Sequence, residues 1–364
     1  MVSQSTALNI DQIRGRTILV TGHTGFKGAW LTLWLHKLGA EVHGLSLPEN
    51  PAPAAYTALG VRKLIASERL ADVRDAEVVS EYLAEVKPDL VFHLAAQALV
   101  RKSYKDPLGT LATNFMGTTH VLEALRTRNK KCACIVVTSD KCYQNLENKH
   151  AYRETDALGG LDIYSASKSA AELVTAGYRK SFFATGNVAL ASARAGNVMG
   201  GGDYAPDRIV PDCVRALSKG QKIPVRNPAS TRPWQHVLEP LSGYLLLACK
   251  LLGPESQAFA DAWNFGPSPR EVLNVKAFVE NFIAQWGTGA WEPTREAQPP
   301  HEAQLLNLNS DKAAARLGWA ATWTSQRRIR ETVEWYRKFE ASPKQEGGMR
   351  EFSLEQIGNF DAKS

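Results

Sequence analysis

With 364 residues, 44% of them hydrophobic and 22% charged, the chain has material for one large α/β domain and a smaller lobe. A formal charge of +6 and a pI near 9.0 do not predict nucleic-acid binding, because Lys and Arg are scattered rather than gathered into a basic run interleaved with aromatics. The opening MVSQSTALNIDQIRGR lacks an apolar h-region, and the most apolar short run, Tyr244 to Leu252, falls well below the roughly 18 residues of a membrane span; secretion and membrane insertion are not expected.

In chain order, the β-rich run TILVTG is followed by the helical period KGAWLTLWLHKLG, then by EVHGLSL, DLVFHLAA, a helix ending at Leu125, and CACIVVTS. This alternation predicts right-handed βαβ units on a parallel sheet. The expected fold class is α/β, a Rossmann-like doubly wound sheet with a smaller, irregular C-terminal substrate-binding lobe. ARAGNVMG, from Ala193, reads as a further strand and turn. Beyond it lie the Gly-rich stretch 200–206 and four prolines within 222–240, where regularity is lost. The expected organisation is a dinucleotide-binding domain over 1–195, a lobe over 196–340 with returns to the first domain, and a polar, peripheral tail over 341–364. Cys132, Cys134, Cys142, Cys213 and Cys249 are an odd set with no CxxC spacing and no His pair, so buried thiols, no metal site and a reducing cytoplasm are expected. Cys132 and Cys134 fall on one face of a strand.

Gly22, Gly25 and Gly28 stand between an apolar strand and an amphipathic helix, with Phe26 and Lys27 inside the same turn. A backbone that turns this sharply can approach a pyrophosphate and seat it on the helix N-terminus. Asp72, with Val73 in ADVRD, is a candidate to accept from an adenine amine, or else a solvated loop carboxylate. EVHGLS ends in Ser46, where an acidic residue that grips the ribose hydroxyls is usual. No Arg follows it, so NAD is expected rather than NADP, with Lys27 the one cation that speaks otherwise.

Ser139, Asp140 and Lys141 end a strand in IVVTSDKCYQ, and Tyr164 and Lys168 share a helix face in DIYSASKSAAELV. An ammonium beside the phenol is expected to lower its pKa, so that the phenolate accepts an alcohol proton while a hydride leaves for the nicotinamide. Asp140-Lys141 also reads as an ordinary loop ion pair. His23, His43 and His93 read as core or surface residues rather than bases.

At these motifs the chain resembles the extended short-chain dehydrogenases, and among them the sugar-nucleotide 4,6-dehydratases. The resemblance runs from about Arg16 to Trp319 through VTGHTGFKG, ADVRD, VFHLAAQ, NFMGTTHVLEA, VTSDKCYQ, YSASK, ARAGNVMGGGD, TRPWQHV and KAAARLGW. It implies that Leu94, Ala95 and Ala96 line the nicotinamide side and that Gln97, Asn197, Arg208, Arg232 and His301 hold the sugar nucleotide, Arg232 at its diphosphate. Many members carry Asp-Glu where this chain has Asp140-Lys141, a departure similar to the members that act on CDP-D-glucose. The resemblance therefore implies dehydration of CDP-D-glucose for deoxysugar and O-antigen synthesis, by a homodimer or dimer of dimers. It further implies that Tyr164 takes the C4 proton, Lys141 takes the C5 proton or stabilises the enolate, and Asp140 protonates the departing C6 hydroxyl. A 4-epimerase of the same fold, another nucleoside-diphosphate hexose as substrate, and a non-catalytic dinucleotide-sensing or RNA-binding protein are the alternatives.

Overall fold

The computed structural model describes residues 12–50, 54–128, 130–148, 150–294, 305–342 and 345–361. Strands β1 (Thr17–Thr21), β2 (Glu41–Ser46), β3 (Ser67–Leu70), β4 (Leu90–His93), β5 (Cys132–Val137), β6 (Val188–Ala195) and β7 (Ala262–Phe265) form one sheet. Its order is β7-β6-β5-β4-β1-β2-β3 and every pairing is parallel. The direction of winding reverses between β1 and β4, which opens a crevice at the C-terminal ends of the strands.

Both faces of the sheet are covered, so its strands are apolar at successive positions. Ile18, Val20, Ala133, Ile135 and Val137 point into a core shared with Trp30 and Trp34 of α1 (Phe26–Lys37) and with α6 (Leu238–Leu252). Leu19, Cys132, Cys134 and Val136 point the other way, toward α3 (Ala76–Val86) and α4 (Gly117–Arg128). The apolar run from Tyr244 is the second half of α6, a helix buried along most of its length, and all five cysteines are free and buried. Among the described residues, no helix is long and apolar enough to cross a membrane.

After β6 the chain leaves the sheet, returning as β7. Outside it lie short pairings: 223–225 parallel with 291–293, and 231–232 antiparallel with 273–274. The expectation of a peripheral tail beyond Ser342 is corrected. Residues 350–361 form a helix, α7, and Met349, Ile357 and Phe360 enter the main core. Phe360 sits edge-on to Trp34 with ring centroids 5.8 Å apart. Arg350 donates to the carbonyls of Leu59 and Gly60 at 3.1 and 2.9 Å, capping the short helix α2 (Ala55–Leu59). The apolar residues of this segment are few and are not gathered on one side of the helix, and their partner surface, α1, lies over 300 residues away in sequence.

Candidate active site

The turn between β1 and α1 is built from glycines for steric reasons. Gly22 has φ +76°, and a Cβ there would lie 2.8 Å from Ala95 N; a Cβ on Gly28 would lie 2.0 Å from Gly22 O. Gly25 precedes α1, whose first turn has neither an acidic residue nor a side-chain cap, so its free N–H groups suit an anion. This cradle fits a dinucleotide pyrophosphate. It borders a cavity of about 580 Å³ at the reversal point of the sheet.

Gly22, Gly25, Phe26, Lys27, Gly28, Ser46, Asp72, Val73, Leu94, Ala95 and Ala96 all line that cavity. Ser46 ends β2 with its hydroxyl 2.7 Å from Thr24 Oγ1. Asp72 is held by Arg74 at 2.6 and 2.8 Å, which keeps its carboxyl below the ordinary range against the opposing effect of burial. Lys27 stands apart from the expectation that it could serve a 2′-phosphate. Its Nζ lies 3.3 Å from Tyr244 Oη, and its charge is coupled to those of Lys168, Arg208 and Asp140. Desolvation, followed by those cations, lowers it to about 7.

On the opposite wall the end of β5 delivers Ser139, Asp140 and Lys141, and helix α5 (Ile163–Ser181) delivers Tyr164 and Lys168. Asp162 starts α5 by accepting from Ser165 N at 3.0 Å. Ser139 Oγ donates to Asp140 Oδ1 at 2.9 Å and Lys141 Nζ stands 3.9 Å from the same oxygen. Asp140 is 2% exposed and its Oδ2 has no hydrogen-bond partner. Burial pushes the Tyr164 phenol up to about 12, with the Ser139 hydroxyl and Arg208 pulling it down and Asp140 adding to the rise. The expected lowering by Lys168 is not found: the groups that pull the phenol down are the Ser139 hydroxyl and Arg208, and desolvation outweighs them. Lys168 is itself lowered to about 8 by burial, with Cys142 and Glu172 opposing.

Toward the lobe the cavity is lined by Asn197, Arg208 and Arg232. Asn197 Oδ1 is buried without a partner, and Arg208 Nη1 lies 2.8 Å from Asp203 Oδ2. Gln97 is a correction. Its amide is consumed by Leu99 and Thr110 at 2.6 to 3.0 Å, and it buttresses the loop after β4 instead of lining the cavity. His301 lies outside the described residues. Sequence reasoning passed over Arg101, Asp207, Arg226, Asn227 and Trp234, which also line the cavity. Asp207 pairs with Arg226 at 3.1 Å and with Arg101 at 3.8 Å. These residues come from separate segments; Trp234 lies within the TRPWQHV motif, and the other four stand in none of the motifs named above. His93 is held between Thr21 and Thr118, and His23 against Glu68, and neither lines the cavity. Among the described residues no cluster of His, Cys, Asp and Glu could hold a metal ion.

Comparison with known proteins agrees with this geometry. The family model described as GDP-mannose 4,6 dehydratase matches residues 19–332. A CDP-glucose 4,6-dehydratase from Salmonella typhimurium is 44% identical over 329 residues, 89% of this chain and 91% of that protein. A dTDP-glucose 4,6-dehydratase from Xanthomonas campestris is 25% identical over 345 residues, 88% of this chain and 93% of the relative. Among solved structures, a dTDP-glucose 4,6-dehydratase from Bacillus anthracis in complex with NAD superposes with TM-score 0.72 at 21% identity, covering 89% of this chain and 97% of that one. A UDP-glucose 4-epimerase from Thermotoga maritima does so with TM-score 0.74 at 21% identity, covering 89% and 99%. The last two show the shared fold. The matched family model and the relative at 44% identity show more: the chain belongs to the sugar-nucleotide 4,6-dehydratase family.

Proposed function

We propose that the chain dehydrates CDP-D-glucose to CDP-4-keto-6-deoxy-D-glucose, with NAD as a cofactor that is regenerated in each turnover. The observation that carries this reading is the convergence of Ser139, Asp140, Lys141, Tyr164 and Lys168 on one wall of a cavity whose other wall is the glycine cradle. The Salmonella relative, by its name, supplies the nucleotide and the sugar. When bound, NAD supplies the acceptor for the hydrogen removed from C4 and its donor to C6.

Gly22, Gly25 and Gly28 would hold the cofactor's pyrophosphate, Ser46 and Asp72 its adenosine half, and Ala95 and Ala96 its nicotinamide half. Tyr164, once its phenol has given up its own proton, takes that of the C4 hydroxyl; the Ser139 hydroxyl and Arg208 favour that phenolate, and Lys168 stands one turn along the same helix. The resulting ketone acidifies C5; Lys141 receives the C5 proton and returns one to C5 once C6 has been reduced. Asp140 Oδ2, buried and without a protein partner, is the oxygen that meets the C6 hydroxyl and gives it a proton as water leaves. Asn197 and Arg208 hold the sugar nucleotide, and Arg232 its diphosphate. This acid at C6 separates the reading from a 4-epimerase, which needs none.

Assay of CDP-, dTDP-, UDP- and GDP-linked hexoses for a 4-keto product tests the reading. A 4-keto-6-deoxy product from CDP-D-glucose is expected; turnover to a C4 epimer without loss of water would replace it. Leu108, Met116 and Leu173 leave apolar side chains exposed on adjoining helical segments, which supports pairing of two copies there. A monomer mass in sedimentation would remove that pairing. The buried free thiols suit a reducing cytoplasm, which cell fractionation tests.

A further inference from the structure

Residues 138–143 carry three of the groups assigned to chemistry, yet Ser139, Asp140 and Lys141 contact few fixed partners of their own. What holds the segment lies beneath it. Thr138 Oγ1, at its start, donates to Glu172 Oε1 at 2.5 Å. Tyr143, at its end, accepts from Arg194 Nη1 at 2.7 Å and donates to Asn264 Oδ1 at 2.8 Å. Glu172 and Arg194 are themselves paired at 2.7 Å, and Ser192 Oγ donates to the same Glu172 oxygen at 2.8 Å. Thr138, Tyr143, Glu172, Arg194 and Asn264 are all buried. Glu172 also stands one helical turn beyond Lys168 on α5, and Ser169 Oγ of that helix donates to Cys142 O at 2.7 Å.

A fully buried ion pair is no more stabilising, as a rule, than well-packed apolar residues of the same size. This pair therefore calls for another account, and its position offers one. It joins the two ends of the catalytic segment to the helix bearing Tyr164 and Lys168 and to strands β6 and β7. We infer that Glu172 and Arg194 are positioning residues, acting through Thr138 and Tyr143 to fix where Ser139, Asp140 and Lys141 stand relative to Tyr164. The inference rests on the functional reading above. Networks of this kind act by locking side chains that do the chemistry, and a displacement of about 1 Å is enough to cost up to ~100-fold in rate.

Removing Glu172 or Arg194 would strand a buried charge, so the test keeps both and cuts the segment's tethers with Thr138→Val and Tyr143→Phe. Ser192→Ala is the control, because it removes a hydrogen bond from the same carboxylate but does not lie on the segment. Each variant is measured for thermal midpoint, for kcat and KM with CDP-D-glucose, and for the pH dependence of kcat. The expected result is a loss in kcat of ~10- to 100-fold for Thr138→Val and Tyr143→Phe, KM within ~2-fold of the parent, and a displaced pH profile. Ser192→Ala should keep kcat within ~2-fold at a comparable loss of thermal midpoint. Equal kcat loss in all three variants would mean a structural role only and overturn the inference. A parent enzyme that forms no 4-keto product from any nucleoside-diphosphate hexose would sink the functional reading instead. Crystal structures of the two tethering variants then decide the positioning claim independently: residues 139–141 unmoved in both would overturn it.

Discussion

Lowering the pH from 7 to 5 should destabilise this protein through two histidines that the fold keeps neutral. His93, at the end of β4, is enclosed between Thr21 Oγ1 at 2.7 Å and Thr118 Oγ1 at 3.1 Å; His236 packs between the rings of Trp30 and Trp323. Burial lowers both to about 3 from an ordinary 6.5, with Lys168 adding to the effect on His93, and Arg328 and Arg327 on His236. Between those values the unfolded chain binds protons that the folded chain refuses, so stability is complete above pH 6.5 and falls as the pH falls. At pH 5 each histidine is 1.5 pH units below its unfolded value, a cost of about 2 kcal/mol each and about 4 kcal/mol together. His23 and His43, also lowered by burial, act in the same direction. The half-buried carboxyls of Glu154 and Asp212 are raised and act in the opposite direction. Against a typical total stability of about 5–15 kcal/mol the loss is large. Urea unfolding followed by tryptophan fluorescence at pH 7, 6, 5.5 and 5 measures it, with His236→Asn expected to halve the slope. A change of less than about 1 kcal/mol between pH 7 and 5, or a slope untouched by His236→Asn, would refute the reasoning.

Tyr164→Phe should lower turnover at least ~100-fold while leaving the thermal midpoint close to that of the parent, because the buried ring remains and only the proton acceptor is removed; near-normal turnover would take Tyr164 out of the mechanism. Asp140→Asn should oxidise C4 and then stall, since an amide cannot protonate the C6 hydroxyl, and reduced nicotinamide absorbance should build up in a single turnover. Failure before any such absorbance appears would show that Asp140 acts earlier. Ser46→Asp should tighten NAD binding, measured by calorimetry, because a carboxylate at the end of β2 accepts from ribose hydroxyls, and charged hydrogen bonds contribute roughly 1.5–3 kcal/mol each. In the parent, the Ser46 hydroxyl is already engaged with Thr24. An unchanged affinity in a folded Asp variant would count against the role given to this position.

The doubly wound sheet and the glycine cradle are legible in the sequence because their causes are local. A strand followed by three glycines and a helix can only turn where Gly22 and Gly28 let the backbone come within touching distance of itself; that helix, expected to be amphipathic, is buried at every position from Gly28 to Leu35, and the spacing of Tyr164 and Lys168 puts both on one face of α5. Burial on both faces made the strands read as apolar runs, and Cys132 and Cys134 indeed share a face. Other features were decided only by the tertiary structure. Gln97 stands in a motif expected to meet substrate, but its amide is satisfied by Leu99 and Thr110, a fact of packing that its neighbours in sequence do not encode. The helix 350–361 reads as a polar tail until α1 presents the apolar surface that Ile357 and Phe360 complete. Arg101, Asp207 and Arg226 share the cavity through contacts across as many as 106 positions, and Thr138, Tyr143, Glu172 and Arg194 become one network only when the segment after β5, helix α5 and strand β6 meet. Spacing along the chain determines which residues share a turn, a face or a strand end. The desolvation that raises Tyr164, lowers Lys168 and makes an internal ion pair matter depends on what the rest of the chain packs around them, and that is set only once the sheet has closed.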